Sequence, residues 1–434
     1  MAVGSATRLA RVEPRRAVMI SVCLVGAAAS VVGEMIVLLR ELFSGEAGDS
    51  GLGQDFYNLW FAARSSPQEP IYAKAIAEFK QYPGDPIHLA QFVYPPFAAL
   101  VVKPLAGLPF AGAEAVWLLI GAACLAAACA VAIRCLESPV ERSLAIVLAA
   151  TAPSTWWSLQ QGQMNVPLLL CMLAAGVALE KRRDLLAGIL VGVAAAVKIY
   201  PGILIVYFIW AGRWRAALAA VLAGGICTLA GFVLAGSDAL DYLRVVLPNQ
   251  LVPSTGYDNM GLPGVFQRFF VPNVFDSQVA NLPILAAVAP KLGALLLVAV
   301  TLAREPGGRG AAPVWSALVL TALLPLIVTT AWPATAIYAM PALWVAAACL
   351  LRPGASLPTK ALSASAILLL YVSPLLRGTV YPPLASAAAI RSHDPVFYVW
   401  GLDVTLGLLL SWWALLILRE VPRWSGRSTF AAES

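Results

Sequence analysis

The sequence predicts an all-α polytopic membrane protein. Composition is the first reason. Of 434 residues, 60% are hydrophobic and only 12% charged, with a mean hydropathy of +0.80. Soluble domains carry roughly 25% charged residues. The second reason is length: apolar runs of roughly 17–25 residues, enough for a helix to cross a bilayer, recur along the chain. No polar segment is long enough for a separate globular domain, so residues 1–434 read as one integral membrane domain.

The elements follow in order. Arg8, Arg11, Arg15 and Arg16 precede an apolar run that imitates a signal peptide. The run at 17–39 is long for one and is followed by many more, so it reads as an uncleaved first span. Residues 40–111 form an outer loop with interfacial and re-entrant helices. Within it, Asp55, Leu59, Ala62 and Ala63 fall at helical spacing, and Tyr57, Trp60, Phe61 and Tyr72 suit a membrane–water boundary. Residues 94–108 are apolar but short and interrupted by Pro and Lys, which suits a segment buried against protein. A helical core at 112–236 holds spans near 112–134, 143–157, 164–180, 185–199, 201–211 and 215–236. A second outer loop covers 237–280. Spans near 281–303, 311–330, 334–351, 360–376 and 397–418 complete the C-terminal helices, ahead of a tail at 419–434. This makes about twelve transmembrane helices. Lys198-Ile199-Tyr200-Pro201 hinges a pair of short spans, and broken membrane helices often line substrate sites.

Charge orients the chain. The segments assigned to the cytoplasm carry 18 of the 29 Lys and Arg, and the long outer loops only 8. By the positive-inside rule, both termini are cytoplasmic in an inner or plasma membrane. The net charge of +6 therefore reports topology, not nucleic-acid binding. The seven cysteines lie mostly in apolar stretches without a CxxC pair and read as packing residues.

Few residues can carry chemistry. A partly desolvated Asp55 could accept a proton from a sugar hydroxyl, or simply cap a helix. Lys198 suits phosphate oxygens, or could snorkel to an interface. Arg268, in a loop with Asn249, Gln250, Tyr257, Asp258 and Asn259, could pair bidentately with a phosphate, or anchor at the interface. The amides of Gln160, Gln161, Gln163 and Asn165 offer donors and acceptors to sugar hydroxyls, or form a polar turn. His88 and His393, the two histidines, lack metal-type spacing and read as structural. No DxD or ExD pair stands beside Asp55, so neither a metal nor another cofactor is expected. No GxSxG elbow appears.

The motifs together resemble glycosyltransferase family 87. The resemblance rests on Gln54-Asp55-Phe56-Tyr57 through Arg64, Pro70-Ile71-Tyr72, Phe92-Val93-Tyr94-Pro95-Pro96-Phe97 and Pro104-Leu105. It continues with Gln161-Gly162-Gln163-Met164-Asn165, Leu186-Ala187-Gly188-Ile189-Leu190, Ala196-Val197-Lys198-Ile199-Tyr200-Pro201, and Asn259-Met260-Gly261-Leu262-Pro263-Gly264 with Arg268. It covers about two thirds of the chain, and its strength is in the order of the motifs. It implies a GT-C fold and transfer of a hexose, mannose in the mycobacterial members, from a polyprenyl-phosphate donor to a glycolipid or glycan acceptor outside the cytoplasm. It places Asp55 as the catalytic base. Lys198 and Arg268 become the expected donor-phosphate contacts. Tyr57, Tyr94, Gln161, Gln163, Asn165 and Asn259 become the expected substrate-binding set. Mycobacterial members carry a Trp-x-His-His type element; the nearest stretch here, Thr329 to Tyr338, has no histidine. Two other readings of the chain are a lipid-linked sugar flippase and a non-catalytic assembly factor.

Overall fold

The computed structural model describes residues 53–65, 70–81, 92–136, 138–256, 259–273, 278–350, 356–372 and 402–417, together with 33 and 36. All regular structure among them is helical. All of the expected span at 17–39 but residues 33 and 36, the expected cytoplasmic ends, His88, His393, Tyr257 and Asp258 lie outside the described residues.

Three short helices come first: α1 (Gln54–Arg64), α2 (Ala73–Gln81) and α3 (Phe97–Val102). A 3-10 turn at Lys103–Leu105 extends α3. These nine residues rise roughly 15 Å, about half a hydrocarbon core. Residues 94–108 therefore fold as a short, partly buried element, with Ala98 and Val102 fully covered and Val101 and Leu108 exposed. Lys103 turns its Nζ to the carbonyl of Ala63 at 2.7 Å, capping the end of α1.

The helical core begins with α4 (Phe110–Ala132) and α5 (Pro139–Thr151). Ser138 and Glu141 close a capping box ahead of α5, with Pro139 at the first helical position. The sequence expects one span at 143–157, but Pro153 starts a new helix, α6 (Pro153–Gln160). Proline donates no N–H, so the ladder cannot run through it. α6 meets α7 (Asn165–Glu180) at a 118° bend. α8 (Asp184–Val197) ends at Lys198, whose backbone is extended. A 3-10 turn at Tyr200–Gly202 then leads into α9 (Ile203–Trp210). α10 (Trp214–Ala235) packs closely on α8. A Cβ added to Gly188 would lie 2.3 Å from the Ala216 carbonyl, and one on Gly192 2.3 Å from that of Ala220. Small residues thus set the close approach of two apolar helices.

After a helical stretch at 238–250 come α11 (Leu262–Phe270), α12 (Pro283–Ala303) and α13 (Pro313–Ile327). A 3-10 segment, Pro333–Ala339, precedes α14 (Met340–Leu350). α15 (Leu357–Ile367) runs into a π turn at Leu368–Val372, and α16 (Leu402–Ile417) closes the described chain. α13 and the start of α14 form the centre, with Leu318, Leu323, Ile337, Leu343 and Trp344 fully covered.

The chain is a multi-pass membrane protein built of apolar helices. The described residues hold fewer long helices than the twelve expected spans. Among the described residues, α4, α10 and α12 are each long and apolar enough to cross a bilayer, and the bent pair α6–α7 makes a fourth if taken as one span. The expected spans at 185–199, 201–211, 311–330, 334–351, 360–376 and 397–418 fall, within the described residues, on apolar helices of 10–17 residues. Hydropathy registers an apolar run but not the proline or turn that divides it. α10 and α12 leave Leu222, Ile226, Leu229, Leu292 and Leu295 mostly exposed, as lipid-facing surfaces do.

Candidate active site

α1 is anchored at its N-terminus by the turn after α6. The first backbone N–H groups of a helix have no partners within it. Here the Gly53 N–H donates to the Gln160 carbonyl at 2.6 Å, and the Phe56 N–H to that of Gln161 at 3.1 Å. The N-cap is Gly53, and no side chain caps the helix. Asp55 is therefore not the cap, and its carboxylate is left for other work.

Two glycines permit this docking. Gly53 (φ 65°) and Gly162 (φ 66°) both hold left-handed backbone. A Cβ on Gly162 would lie 2.4 Å from that of Phe56, and one on Gly53 would lie 2.1 Å from a Glu114 carboxylate oxygen. Trp117 of α4 completes the joint. Its indole N–H donates to the Gly162 carbonyl at 2.8 Å, and its ring stacks on Phe56 at 5.4 Å.

The joint brings Asp55 to Gln163, whose Nε2 donates to Asp55 Oδ2 at 2.5 Å. Gln163 Oε1 accepts from Asn165 Nδ2. Asn165 Oδ1 accepts from Lys198 Nζ at 2.9 Å and from the Tyr338 hydroxyl at 3.4 Å. Residues from α1, the α6–α7 turn, the α8–α9 break and the 3-10 segment before α14 thus join in one polar chain. Lys198 Nζ also lies 5.0 Å above the Tyr94 ring and 5.7 Å from that of Tyr200, distances at which a cation is drawn to aromatic faces.

A cavity of about 390 Å³ opens on this group. That is within the range of small-ligand sites. Asp55, Gln163, Lys198, Tyr94 and Tyr200 line one side, and Gln250, Thr329, Thr330, Trp332 and Thr335 another. The loops of the second side are stitched together: Thr329 Oγ1 donates to the Gln250 carbonyl at 2.9 Å, and the Met260 N–H to that of Ala331 at 3.0 Å. Burial pushes the Asp55 carboxyl above the usual carboxylate range, against the opposing pull of Lys198 and the Gln163 hydrogen bond. Tyr94 is held well above the usual phenol range by its own burial and by the charge of Asp55, so it stays a neutral hydroxyl.

Of the expected set, the cavity gathers Asp55, Lys198, Tyr94 and Gln163. Asn165 is fully buried behind Gln163 and does not line it. Gln161 contributes its backbone carbonyl to α1, and Tyr57 packs edge-on against Phe110 at 5.3 Å. Neither lines the cavity. Asn259 is spent within the protein. Its amide donates to the Ser254 and Thr329 carbonyls, and its oxygen accepts from the Gly261 and Ala331 N–H groups. Arg268 is 1% exposed and donates to the Gly256 carbonyl at 2.8 Å and to that of Asn259 at 3.4 Å. It is absent from the cavity wall, and its guanidinium ties together the backbone of residues 256–259 and α11.

Several contributors escape sequence reading. Trp332, Thr335 and Tyr242 sit on the wall with no motif beyond the histidine-free stretch and a lone aromatic to mark them. Tyr72 acts at one remove: its hydroxyl donates to the Tyr94 carbonyl at 2.7 Å, while the neighbouring Ile71 N–H is held by Asp238 at 2.8 Å. The Pro-Ile-Tyr element therefore fixes the strip that carries Tyr94.

Comparison with known proteins gives this geometry relatives. The model of glycosyltransferase family 87 matches residues 92–330. A polyprenol-phosphate-mannose-dependent alpha-(1-2)-phosphatidylinositol pentamannoside mannosyltransferase of Mycobacterium tuberculosis is 30% identical over 227 residues, 48% of this chain and 52% of the relative. The protein of the same description from Mycolicibacterium smegmatis is 34% identical over 161 residues, 36% of this chain and 38% of that relative. A polyprenol-phosphate-mannose-dependent alpha-(1-2)-phosphatidylinositol mannoside mannosyltransferase of M. tuberculosis is 29% identical over 167 residues, 35% and 39% of the two chains. The matched stretches thus span between about two fifths and one half of these relatives.

Proposed function

Because the chain belongs to glycosyltransferase family 87, we propose that it is a membrane mannosyltransferase of GT-C fold. It moves the sugar from a polyprenyl-phosphate donor to a lipid-linked or envelope-glycan acceptor on the outer face. The relatives are described as polyprenol-phosphate-mannose-dependent, with phosphatidylinositol mannosides as acceptors. The observation that carries the reading is a half-buried carboxylate and an ammonium on one side of a cavity, linked through two amides. The charge bias of the sequence supports an outward-facing site.

The chemistry follows from these groups. Asp55 removes the proton of the acceptor hydroxyl as its oxygen bonds to the anomeric carbon. The bond from that carbon to the phosphate oxygen breaks, and its electron pair leaves with polyprenyl phosphate. The transition state is oxocarbenium-like, as in glycosidic chemistry generally. The departing phosphate is already a stable anion, so protonation of the leaving group is unnecessary. Its growing charge needs a cation, and Lys198 supplies one. Double displacement with retention uses a second carboxyl group about 5 Å from the first. Asp55 is the one carboxylate among the described residues lining the cavity, which favours single displacement with inversion.

The test is incubation of the purified protein with a panel of labelled polyprenyl-phosphate sugars and glycolipid acceptors, with products resolved by mass. A product one hexose heavier than the acceptor, made from the mannosyl donor, is expected. Movement of donor across reconstituted vesicles with no new glycosidic bond would replace this reading with a flippase.

A further inference from the structure

Asn165 is wholly buried, yet it stands between the two charged groups of the cavity. An ammonium can only donate and an ionised carboxylate can only accept. Two amides lie between these ends: Lys198 donates to Asn165, Asn165 to Gln163, and Gln163 to Asp55. With a donor at one end and an acceptor at the other, only one orientation of both amides satisfies every link. Either amide turned over would place oxygen against oxygen or N–H against N–H. The turn cannot easily drift, because Asn165 Nδ2 also donates to the Ala334 carbonyl at 3.2 Å. Ser158 Oγ donates to that same carbonyl at 2.7 Å.

We propose that Asn165 is a positioning residue: it fixes the direction of the chain from Lys198 to Asp55, so that Gln163 presents N–H to Asp55 Oδ2 and leaves Oδ1 for the acceptor proton. This rests on the reading of Asp55 as base. Asn165 does not touch substrate; it acts on Asp55 through Gln163. Without it, the Gln163 oxygen loses its partner and the amide is free to turn, setting an oxygen against the carboxylate. The proton affinity of Asp55 then rises. Among the described residues, the groups facing Asp55 are few. Lys198 comes from the α8–α9 break, Tyr94 from the segment before α3, and Glu114 of α4 lies across Gly53. Tyr338 and Tyr200 stand behind them, against Asn165 and Lys198.

The test is an infrared pH titration of the full-length protein in detergent, with the Asp55 carboxyl band identified by its loss in Asp55→Asn. In Asn165→Ala the titration midpoint should move up by about one pH unit. In a Gln163→Leu background the same substitution should add little, because the link it acts through is gone. An unmoved midpoint in Asn165→Ala overturns the proposal, as does a full shift that persists in the Gln163→Leu background. A merely structural asparagine would lower the yield of folded protein and leave the midpoint in place. Should Asn165→Ala fail to fold, Asn165→Ser, too short to bridge both neighbours, carries the same expectation. The titration needs no turnover. A protein that transfers no sugar would refute the proposed function while the midpoints still judge the chain.

Discussion

At the scale of single residues, Asp55 and Lys198 hold each other in opposition. Burial favours the neutral acid at Asp55, whereas the ammonium and the Gln163 N–H favour the carboxylate. A base must be ionised to work, so transfer should rise with pH through a midpoint above the ordinary carboxylate range. A profile of kcat/KM against pH checks this, since its acid limb reports the free enzyme. Lys198→Ala should move that limb further up and weaken donor use; unchanged donor affinity and rate would remove Lys198 from the phosphate site. Stability carries the same sign. A carboxyl raised in the folded state loses stabilising effect as pH climbs from its unfolded value through its folded one. Asp55→Asn should therefore melt no lower than wild type at neutral pH, as thermal unfolding in detergent would show. Asp55 stands out in the sequence because a carboxylate beside an apolar run must either cap a helix or be put to use, and the fold leaves the cap to Gly53. Arg268 stands out for a similar reason, and the fold bonds its guanidinium to the protein backbone. The carbonyls of Gly256 and Asn259 that claim it are created by the fold, and no residue letter announces them.

At the scale of elements, the decisive contact is α1 on the turn between α6 and α7. Gly162→Ala should be more damaging than Gly53→Ala. Both force a side chain into left-handed backbone, at a cost of about 1–3 kcal/mol. The first also meets the stiff Cβ of Phe56, while the second meets the tip of Glu114. Folded yield and transfer rate together check this, with the rate of Gly162→Ala expected to fall by more than stability alone accounts for. Asn259→Ala should act otherwise. It removes an amide that ties 254–261 to 329–331, and each buried group left unpaired costs about 1–3 kcal/mol. Its melting temperature should drop without a change in the acid limb. Helix positions were legible: the expected 112–134, 164–180, 215–236 and 281–303 lie within a few residues of α4, α7, α10 and α12. The expected 143–157 was not, because apolar residues continue on both sides of Pro153 and hide the break.

At the scale of the molecule, broken helices put a cavity of mixed polar and apolar lining inside an apolar body. A polyprenyl donor carries a long hydrocarbon chain, and a wall that mixes Ile203, Leu247, Leu251 and Ile327 with Lys198 and Asp55 suits a ligand of that split character. Hydropathy found the body, but composition counts apolar residues and cannot count the bends that divide them, as at Pro153 among the described residues. The ordered motifs found one part of the cavity. Another part, on Thr329 to Thr335, comes from a stretch whose composition gives no chemical cue. The most direct measurement is transfer of labelled mannose from polyprenyl phosphate to glycolipid in proteoliposomes, with wild type and Asp55→Asn side by side and equal folding confirmed. A positioned base contributes about 10²–10⁴-fold. The account predicts labelled product from wild type and a loss of that order in Asp55→Asn; equal turnover by the two proteins would contradict it.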